Sequence, residues 1–228
     1  MPTVSLNIEA NIPMARGLGS SATAIVGGIV GANLLAGSPC SQKQLLDLAI
    51  ALEGHPDNVA AAMLGGCQLS ATKLDGSWEI CPITWHPEIA IAVAIPNFEL
   101  STAKARAVLP QSVPMADAIF NASHLALLTQ ALTKGNSEWL QTALQDRLHQ
   151  PYRESLIMGI KDVEKAAIAH GAYGMVISGA GPTLLALGHP SQIEAIATAM
   201  IQAWKSVEVI AVKKILSIAN SGTTCAIN

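Results

Sequence analysis

The sequence predicts an α+β fold, and the order of its helical and strand patterns is the main evidence. Apolar residues recur with helical spacing from residue 115 to about residue 170. After that stretch the patterns follow in the order strand, strand, helix and strand, at residues 175–178, 183–187, 191–204 and 207–216. This order behind a helix is typical of an α+β layer of the ferredoxin-like type.

The first part of the chain predicts three strands and three helices. Apolar and polar residues alternate between positions 4 and 11, a period of two that indicates a half-buried strand. Ser41 with Gln44 three positions later makes a capping-box pattern, which predicts the start of a helix. The helices are predicted over residues 20–36, 42–53 and 59–64, and the other two strands over residues 67–74 and 89–95.

The composition is that of a compact globular chain. Only 13% of the 228 residues are charged and 50% are apolar, with 18 glycines and 12 prolines, so disorder, coiled coil and collagen are disfavoured. A net charge of −3, an aromatic content of 4% and the lack of a Lys/Arg cluster predict no nucleic-acid partner. The four cysteines have no paired spacing, which predicts free thiols in a reducing cytoplasm.

Residues 18–41 contain no charged side chain and are long enough to raise the question of a membrane span. Small and polar residues, among them Ser20, Ser21, Gly27 and Gly28, interrupt the run. An export signal would need a basic region ahead of it, where this chain has Glu9. We therefore predict a buried helix and no membrane partner.

A glycine-bearing loop between a predicted strand and a predicted helix is the strongest local signal. Glycines let the main chain approach a ligand, and the helix N-terminus offers unpaired N–H groups to an anion, which indicates phosphate binding. One serine could cap the helix and the other bind a cation. The pattern is neither a Walker loop nor GxGxxG, and the alternative is an ordinary turn. The loop consists of Pro13, Met14, Ala15, Arg16, Gly17, Leu18, Gly19, Ser20, Ser21, Ala22 and Thr23.

Polar side chains cluster between the second and third predicted helices. Glu53 ends one helix and is placed to hold a divalent ion. Asp57 and Asn58 begin the next helix, where they could orient or deprotonate a hydroxyl. His55 lies between them. The alternative interpretation is a capped turn with Pro56 at the helix start.

Two further features are weaker when taken alone. Residues 178–183 form a small-residue loop that includes Gly179 and Gly181, for which a plain hairpin turn is the alternative. Arg106, Arg147 and Arg153 each offer a planar guanidinium that suits a carboxylate, although most arginines are solvated or structural.

Together these segments resemble the homoserine kinases, one family of the GHMP kinases. The glycine loop at 13–23 and the loop at 178–183 are similar to motifs shared by the superfamily, while residues 53–58, 102–110 and 146–153 are similar to this family's own. The resemblance implies a GHMP kinase fold: an incomplete domain at residues 1–95, like the second domain of a ribosomal small-subunit protein, and a ferredoxin-like domain at 96–228. It implies transfer of the γ-phosphoryl group of ATP to the side-chain hydroxyl of L-homoserine, for threonine biosynthesis.

The resemblance also implies roles for single residues. The glycine loop would bind the phosphates of ATP, with Ser21 and Glu53 as Mg²⁺ ligands and Gly179 and Gly181 nearby. Asp57 occupies the place of a catalytic base in mevalonate kinases, but positioning is its expected role here. Substrate-binding residues would be His55, Asp57, Asn58, Thr102, Arg106 and Arg153.

One departure from the family concerns the start of the chain. The family's first motif should lie well upstream of the phosphate loop, yet only twelve residues precede Pro13. The sequence therefore predicts a chain without the family's first quarter, with exposed sheet edge and apolar surface and poor solubility. Alternatives are another GHMP kinase, such as a mevalonate-like enzyme, and an inactive nucleotide-binding remnant. Homoserine kinases are often dimers, so the resemblance implies a homodimer.

Overall fold

The computed structural model describes residues 4–226. The helices are α1 (Ser20–Leu35), α2 (Gln42–Glu53), α3 (Asp57–Leu64), α4 (Thr102–Ala107), α5 (Met115–Lys134), α6 (Ser137–Ala143), α7 (Gln150–Arg153), α8 (Ile160–Ala169) and α9 (Ile193–Ser206), with a 3₁₀ turn at Glu154–Leu156. The strands are β1 (Cys67–Thr72), β2 (Trp78–Ile83), β3 (Ala90–Pro96), β4 (Ala172–Ile177), β5 (Leu184–Gly188) and β6 (Ala211–Leu216).

Helices α1, α2 and α3 pack together around a small apolar core. Val26 of α1, Ile50 of α2 and Val59 of α3 are among its buried members. The predicted capping box at the start of α2 is confirmed: Gln44 N–H donates to the Ser41 hydroxyl, and Ser41 N–H donates to the Gln44 side chain. These bonds satisfy two of the main-chain donors that a helix start leaves unpaired.

The uncharged stretch at 18–41 forms α1, but the prediction that this helix is buried is wrong for most of its surface. Only Ala22 and Val26, one turn apart, are fully buried, and Leu35 is 61% exposed. The reason is that α2 and α3 contact only part of the circumference of α1. No helix within the described residues is both long and apolar enough to cross a membrane. All four cysteines lie within the described residues and are free thiols.

Strand β3 and the three strands of the second half of the chain form a four-stranded antiparallel sheet in the order β4-β5-β3-β6. Strand β3 is central, with Val93 opposite Leu185 of β5 on one side and Lys214 of β6 on the other. Counted in chain order, the strands lie 2-3-1-4 across the sheet, which is the ferredoxin-like arrangement that the order of elements predicts.

Both faces of β3 are buried, and its alternating side chains enter two different cores. Ala92 and Ala94 point into the core shared with α8 and α9, whereas Ile91, Val93 and Ile95 point into the core shared with α5 and α6. Because a strand buried on both faces has no polar alternation, it reads as one continuous apolar run.

Two strand predictions differ from the structure. Residues 4–10 have no strand geometry, and Leu6 and Ile8 are 80% and 73% exposed. An alternating pattern forms a strand only where a neighbouring strand completes its hydrogen bonds, and none of the described strands pairs with this segment. Conversely, the sequence pattern predicts no strand between residues 74 and 89, where the structure has β2. Pro82 within β2 is a residue that sheets usually confine to edge strands. Strand β2 pairs with β1, with Leu69 opposite Cys81.

The expected domain boundary at residues 95/96 stays a prediction. Strand β3 spans residues 90–96 and pairs only with strands of the second half. Within the described chain, the sheet of the second half therefore takes its central strand from just before that boundary.

Replacing Trp204 tests how strongly the α8–α9 core stabilises the fold. Trp204 is fully buried, and its indole N–H donates to the Met158 carbonyl at 2.9 Å. We expect Trp204→Ala to lower the free energy of unfolding by about 3–5 kcal/mol, because it leaves a cavity and an unpaired carbonyl. Urea denaturation measures this. Trp139→Ala is the matched control, since Trp139 is 42% exposed. An equal loss of unfolding free energy in both variants would contradict the stabilising role of Trp204 in the core.

Candidate active site

The glycine loop leads directly into α1, whose first turn is left open. Gly19 is the N-cap residue in a left-handed conformation with φ of 75°, and no side chain caps the helix, so neither serine takes the capping role considered for it. Thr23 fixes the turn, donating from its N–H and its hydroxyl to the Gly19 carbonyl at 3.0 and 3.1 Å. The first-turn N–H groups are therefore available to an anion, as phosphate binding requires.

The glycine loop and the loop at 178–183 are in direct contact. The Ser178 hydroxyl donates to the Gly17 carbonyl at 2.8 Å, and Thr183 N–H donates to the Arg16 carbonyl at 3.3 Å. A Cβ atom on Gly17 would lie 2.1 Å from the Ser178 carbonyl oxygen and 2.9 Å from Gly181 N. This close approach requires glycine at position 17. The loop at 178–183 is therefore more than a plain hairpin turn, because it packs against the glycine loop and forms hydrogen bonds with it.

The Arg16 side chain anchors the glycine loop to the end of β3. Its guanidinium donates to the carbonyls of Pro96 and Asn97, both at 3.0 Å, and lies 3.4 Å from a Glu99 carboxylate oxygen. These bonds occupy most of its donors. The loop therefore offers main-chain N–H groups and hydroxyls to a ligand, while Arg16 holds the loop in place.

Ser21 and Glu53 come together at the open end of α1. The Ser21 hydroxyl donates to Glu53 Oε2 at 2.8 Å, although the two residues belong to different helices. Gly54 adopts a left-handed conformation after Glu53 and ends α2 at this point. A hydroxyl and a carboxylate beside a phosphate-binding turn fit Mg²⁺, which is commonly held by one or two carboxylates together with phosphate oxygens. Among the described residues no cluster of three His, Cys, Asp or Glu side chains forms a metal site.

The turn between α2 and α3 carries three polar side chains, one of which lies beside the glycine loop. The Asn58 side chain lies 3.6 Å from where a Cβ on Gly19 would be. His55 Nδ1 lies 3.8 Å from Asp57 Oδ2 and is buried without a hydrogen-bond partner among the described residues. The Asp57 side chain is 74% exposed. Asn58 therefore lies beside the glycine loop, and Glu53 at the end of α2 reaches the first turn of α1. The roles expected of His55 and Asp57 stay predictions.

Helices α4 and α7 carry two arginines, Arg106 and Arg153, and Arg153 contacts the loop at 178–183. Arg153 Nε donates to the Ala105 carbonyl at 3.1 Å, and its Nη1 donates to the Gly179 carbonyl at 3.0 Å. Thr102 opens α4 and Arg106 lies four residues later, on the same exposed side of that helix. Burial lowers the pKa of Arg153; the charge of Asp146 raises it and the charge of Arg106 lowers it. Two nearby guanidinium groups favour an anion between them.

Arg147 does not join this pair, although the sequence pattern offered it on equal terms. Its guanidinium carbon lies 3.9 Å from the centre of the Phe120 ring, and Nη1 lies 3.4 Å from Asp117 Oδ1. Both partners belong to α5, so Arg147 is held against that helix.

Sequence reasoning missed the residues that support Arg153, namely Asn121, Asp146 and Gln150. Asp146 accepts the main-chain N–H groups of His149 and Gln150, and Gln150 Oε1 accepts Ile177 N–H. A short acidic residue shortly before the proline at the start of α7 is the local signal that could have indicated this capping role. A cavity of about 620 Å³ along β4 is also lined by Asp146 and Gln150, but not by either glycine loop.

Two family models match the chain. The model of the GHMP kinases N terminal domain matches residues 2–66, and the model of the GHMP kinases C terminal region matches residues 128–206. The first match contains the glycine loop and the turn after α2, and the second contains the loop at 178–183.

Curated proteins and solved structures give a consistent result. The homoserine kinases of Microchaete diplosiphon and Trichormus variabilis are each 58% identical to this chain over 223 residues, which is 98% of this chain and 72% and 74% of theirs. A crystal structure of homoserine kinase from Cytophaga hutchinsonii matches with a TM-score of 0.86 and 27% identity, covering 93% of this chain and 69% of that one. The similarity therefore extends over nearly the whole of this chain.

Proposed function

This chain belongs to the homoserine kinases of the GHMP kinase superfamily, and from that premise we propose which of its residues bind ATP and L-homoserine. The reaction is an ATP-dependent phosphoryl transfer. The bond between the γ-phosphorus and the bridging oxygen of ATP breaks, a bond to the side-chain oxygen of homoserine forms and the hydroxyl proton is released, so that ADP and O-phospho-L-homoserine result. The product serves threonine biosynthesis.

The observation that carries the proposal is the meeting of Ser21 and Glu53 at the uncapped start of α1. A metal-bound triphosphate needs an anion-binding helix end and nearby oxygen ligands for the metal. The uncapped start of α1 supplies the first, and the Ser21 and Glu53 oxygens, 2.8 Å apart, supply the second. We assign the glycine loop and the first turn of α1 to the phosphates. Ser21 and Glu53 would hold Mg²⁺, which, when bound, neutralises charge on the phosphate oxygens.

We assign the acceptor amino acid to the space between the turn after α2 and the two arginines. Arg106 and Arg153 would bind its carboxylate through guanidinium hydrogen bonds. Thr102, His55 and Asn58 would contact the substrate or the γ-phosphoryl group. Asp57 would orient the attacking hydroxyl, because its exposed carboxylate is free to accept that hydrogen bond. Positioning is the larger part of catalysis in phosphoryl transfer, where little covalent work falls to the protein.

The activity is tested by measuring ADP release from the purified 228-residue chain with Mg-ATP. Three reactions are compared: L-homoserine, mevalonate and no acceptor. We expect acceptor-dependent ADP release with L-homoserine alone and an equal amount of phosphohomoserine by ³¹P NMR. Release with mevalonate instead would contradict the substrate assignment. Release in none of the three would contradict the activity of this chain and favour nucleotide binding without turnover.

Replacing Arg106 tests the carboxylate assignment. We expect Arg106→Ala to raise the KM for L-homoserine by roughly tenfold to a hundredfold, because a charge-assisted hydrogen bond to the substrate is lost. The KM for ATP should stay within about twofold, since this assignment places Arg106 at the amino acid and not at the phosphates. Steady-state kinetics measures both constants. Arg147→Ala is the control, because Arg147 is held against α5; a similar rise in that variant would count against the assignment.

Two further proposals concern the state of the protein in the cell. We propose that it acts in the cytoplasm, which is supported by its four free cysteines. We also propose the homodimer that the family resemblance implies. Light scattering of the purified chain tests the second proposal, and a monomer at micromolar concentration would contradict it.

A further inference from the structure

Asp146 is an acidic residue that is not assigned to either substrate, and both of its carboxylate oxygens accept hydrogen bonds. Its side chain is only 8% exposed. Oδ2 accepts the main-chain N–H groups of His149 at 2.8 Å and Gln150 at 2.7 Å, and Oδ1 accepts the Asn121 side-chain amide at 2.5 Å. The other end of Asn121 accepts the N–H of Arg147 at 3.0 Å. A carboxylate from a connecting segment thus joins α5 to the start of α7.

These bonds determine where α7 begins, and α7 carries Arg153. The helix is a single turn, so fixing its first residue also fixes its last. Gln150 adds a second anchor, because its side chain accepts Ile177 N–H at the end of β4 with a distance of 2.8 Å. Arg153 then reaches the Ala105 and Gly179 carbonyls with Nε and Nη1. Its remaining terminal nitrogen has no bond to any described residue and is free for a ligand.

The charges around Arg153 agree with this geometry. Burial would raise the pKa of Asp146, but its hydrogen bonds from Gln150, His149 and Asn121 lower it, so the carboxylate stays ionised. Burial lowers the pKa of His149, Asp146 raises it and Arg153 lowers it, and the net lowering favours the neutral ring. A neutral ring can accept from Arg153 Nη1, which lies 3.4 Å from its Nδ1. Asp146 is then the negative charge that offsets the partly buried guanidinium.

We propose that Asp146 is a positioning residue for the acceptor's carboxylate: it holds the start of α7, and thereby aims Arg153 across the late glycine loop. This inference rests on the proposed function, since it takes Arg153 as a carboxylate ligand. Asp146 itself does not touch the substrate. Its effect should therefore appear in the binding of the amino acid, and leave the binding of ATP unchanged.

The first test is Asp146→Asn. The oxygen of the new amide can still accept the two main-chain N–H groups. Its NH₂ group then faces the NH₂ group of Asn121, so two donors oppose each other. Flipping the Asn121 amide would only move the clash, because its NH₂ group would then face Arg147 N–H. We expect the KM for L-homoserine to rise about tenfold, with kcat and the KM for ATP within about twofold. Asp162→Asn is the matched control, because Asp162 is an exposed acid in the first turn of α8. An unchanged KM for L-homoserine in Asp146→Asn would overturn the proposal.

A double-mutant cycle separates positioning from general destabilisation. If Asp146 acts through Arg153, the KM for L-homoserine of Asp146→Asn/Arg153→Lys should be close to that of Arg153→Lys alone. Effects that multiply would overturn the proposal. Asn121→Ala breaks the same network from α5 with Asp146 intact, and we expect a smaller rise in the same constant. If the unmodified chain releases ADP with L-homoserine, its kinase activity stands whatever these variants show; if it does not, the activity and the role of Asp146 are both overturned.

Discussion

Replacing Glu53 by Gln is expected to lower kcat by about a hundredfold to a thousandfold, the range seen when one group that stabilises transition-state charge is removed. Glutamine keeps the shape of the side chain and an oxygen that can accept the Ser21 hydroxyl, now at 2.8 Å from Glu53 Oε2. It removes the negative charge that a magnesium ion needs. We therefore expect a folded chain whose activity requires much more Mg²⁺, measured as ADP release over a titration of the ion.

The control for this variant is Asp47→Asn. Asp47 lies on the same helix and forms an exposed ion pair with Lys43 at 2.9 Å. Such surface pairs contribute little to stability, and Asp47 is assigned no contact with a substrate or Mg²⁺, so kcat should stay within about twofold. A Glu53→Gln variant that retains both its kcat and its Mg²⁺ requirement would refute the assignment of Glu53 as a metal ligand. Thermal unfolding of both variants shows whether any loss is due to misfolding.

Replacing Gly17 by Ala is expected to raise the KM for ATP at least about a hundredfold and to destabilise the fold by about 2–4 kcal/mol. Gly17 has a φ of 72°, and an added Cβ would lie 2.1 Å from the Ser178 carbonyl oxygen and 2.9 Å from Gly181 N. Those neighbours are main-chain atoms, which cannot turn aside as a side chain could. The two glycine loops must separate, and the turn that leads into α1 is then lost.

Gly37→Ala separates steric contact from backbone strain. Gly37 also has a left-handed conformation, with φ of 83°, but an added Cβ would meet no atom within 4 Å. It should cost only the conformational strain, about 1 kcal/mol, and leave the KM for ATP unchanged. Urea denaturation and ATP titration measure the two effects. Equal behaviour of both variants would show that contact between the loops is unimportant.

The parts of the fold that the sequence predicted depend on neighbours in the chain. The capping box at Ser41 is complete within four residues, and the order of strands and helices after α8 limits the sheet to few arrangements. Glycines at positions 17 and 19 indicated a loop whose main chain allows close approach, and both have positive φ in the structure. The same loop, with the segments at 53–58 and 146–153, was enough to indicate the family. Short-range steric contacts and hydrogen bonds depend on residues that are close together in the sequence, so the sequence alone can predict them.

Errors arose where a local pattern needed a partner elsewhere. The alternation at residues 4–10 has the period of a strand, yet no described strand completes its hydrogen bonds, and Leu6 is left exposed. Residues 18–41 have the composition of a buried helix, but burial depends on how many elements pack around α1. Hydrophobic periodicity states which face of a segment could be covered, and the assembled fold decides whether it is.

The amino-acid sequence was enough to establish the family, the order of the elements and the residue types available for phosphoryl transfer. Which of these residues meet depends on the tertiary structure. Ser21 and Glu53 form a hydrogen bond across 32 positions, Arg16 anchors the loop at β3, and Asp146 joins Asn121 to the helix that carries Arg153. The physical reason is range: main-chain angles and capping act over a few residues, whereas these contacts exist only once helices and sheet have packed and fixed the distances between distant side chains.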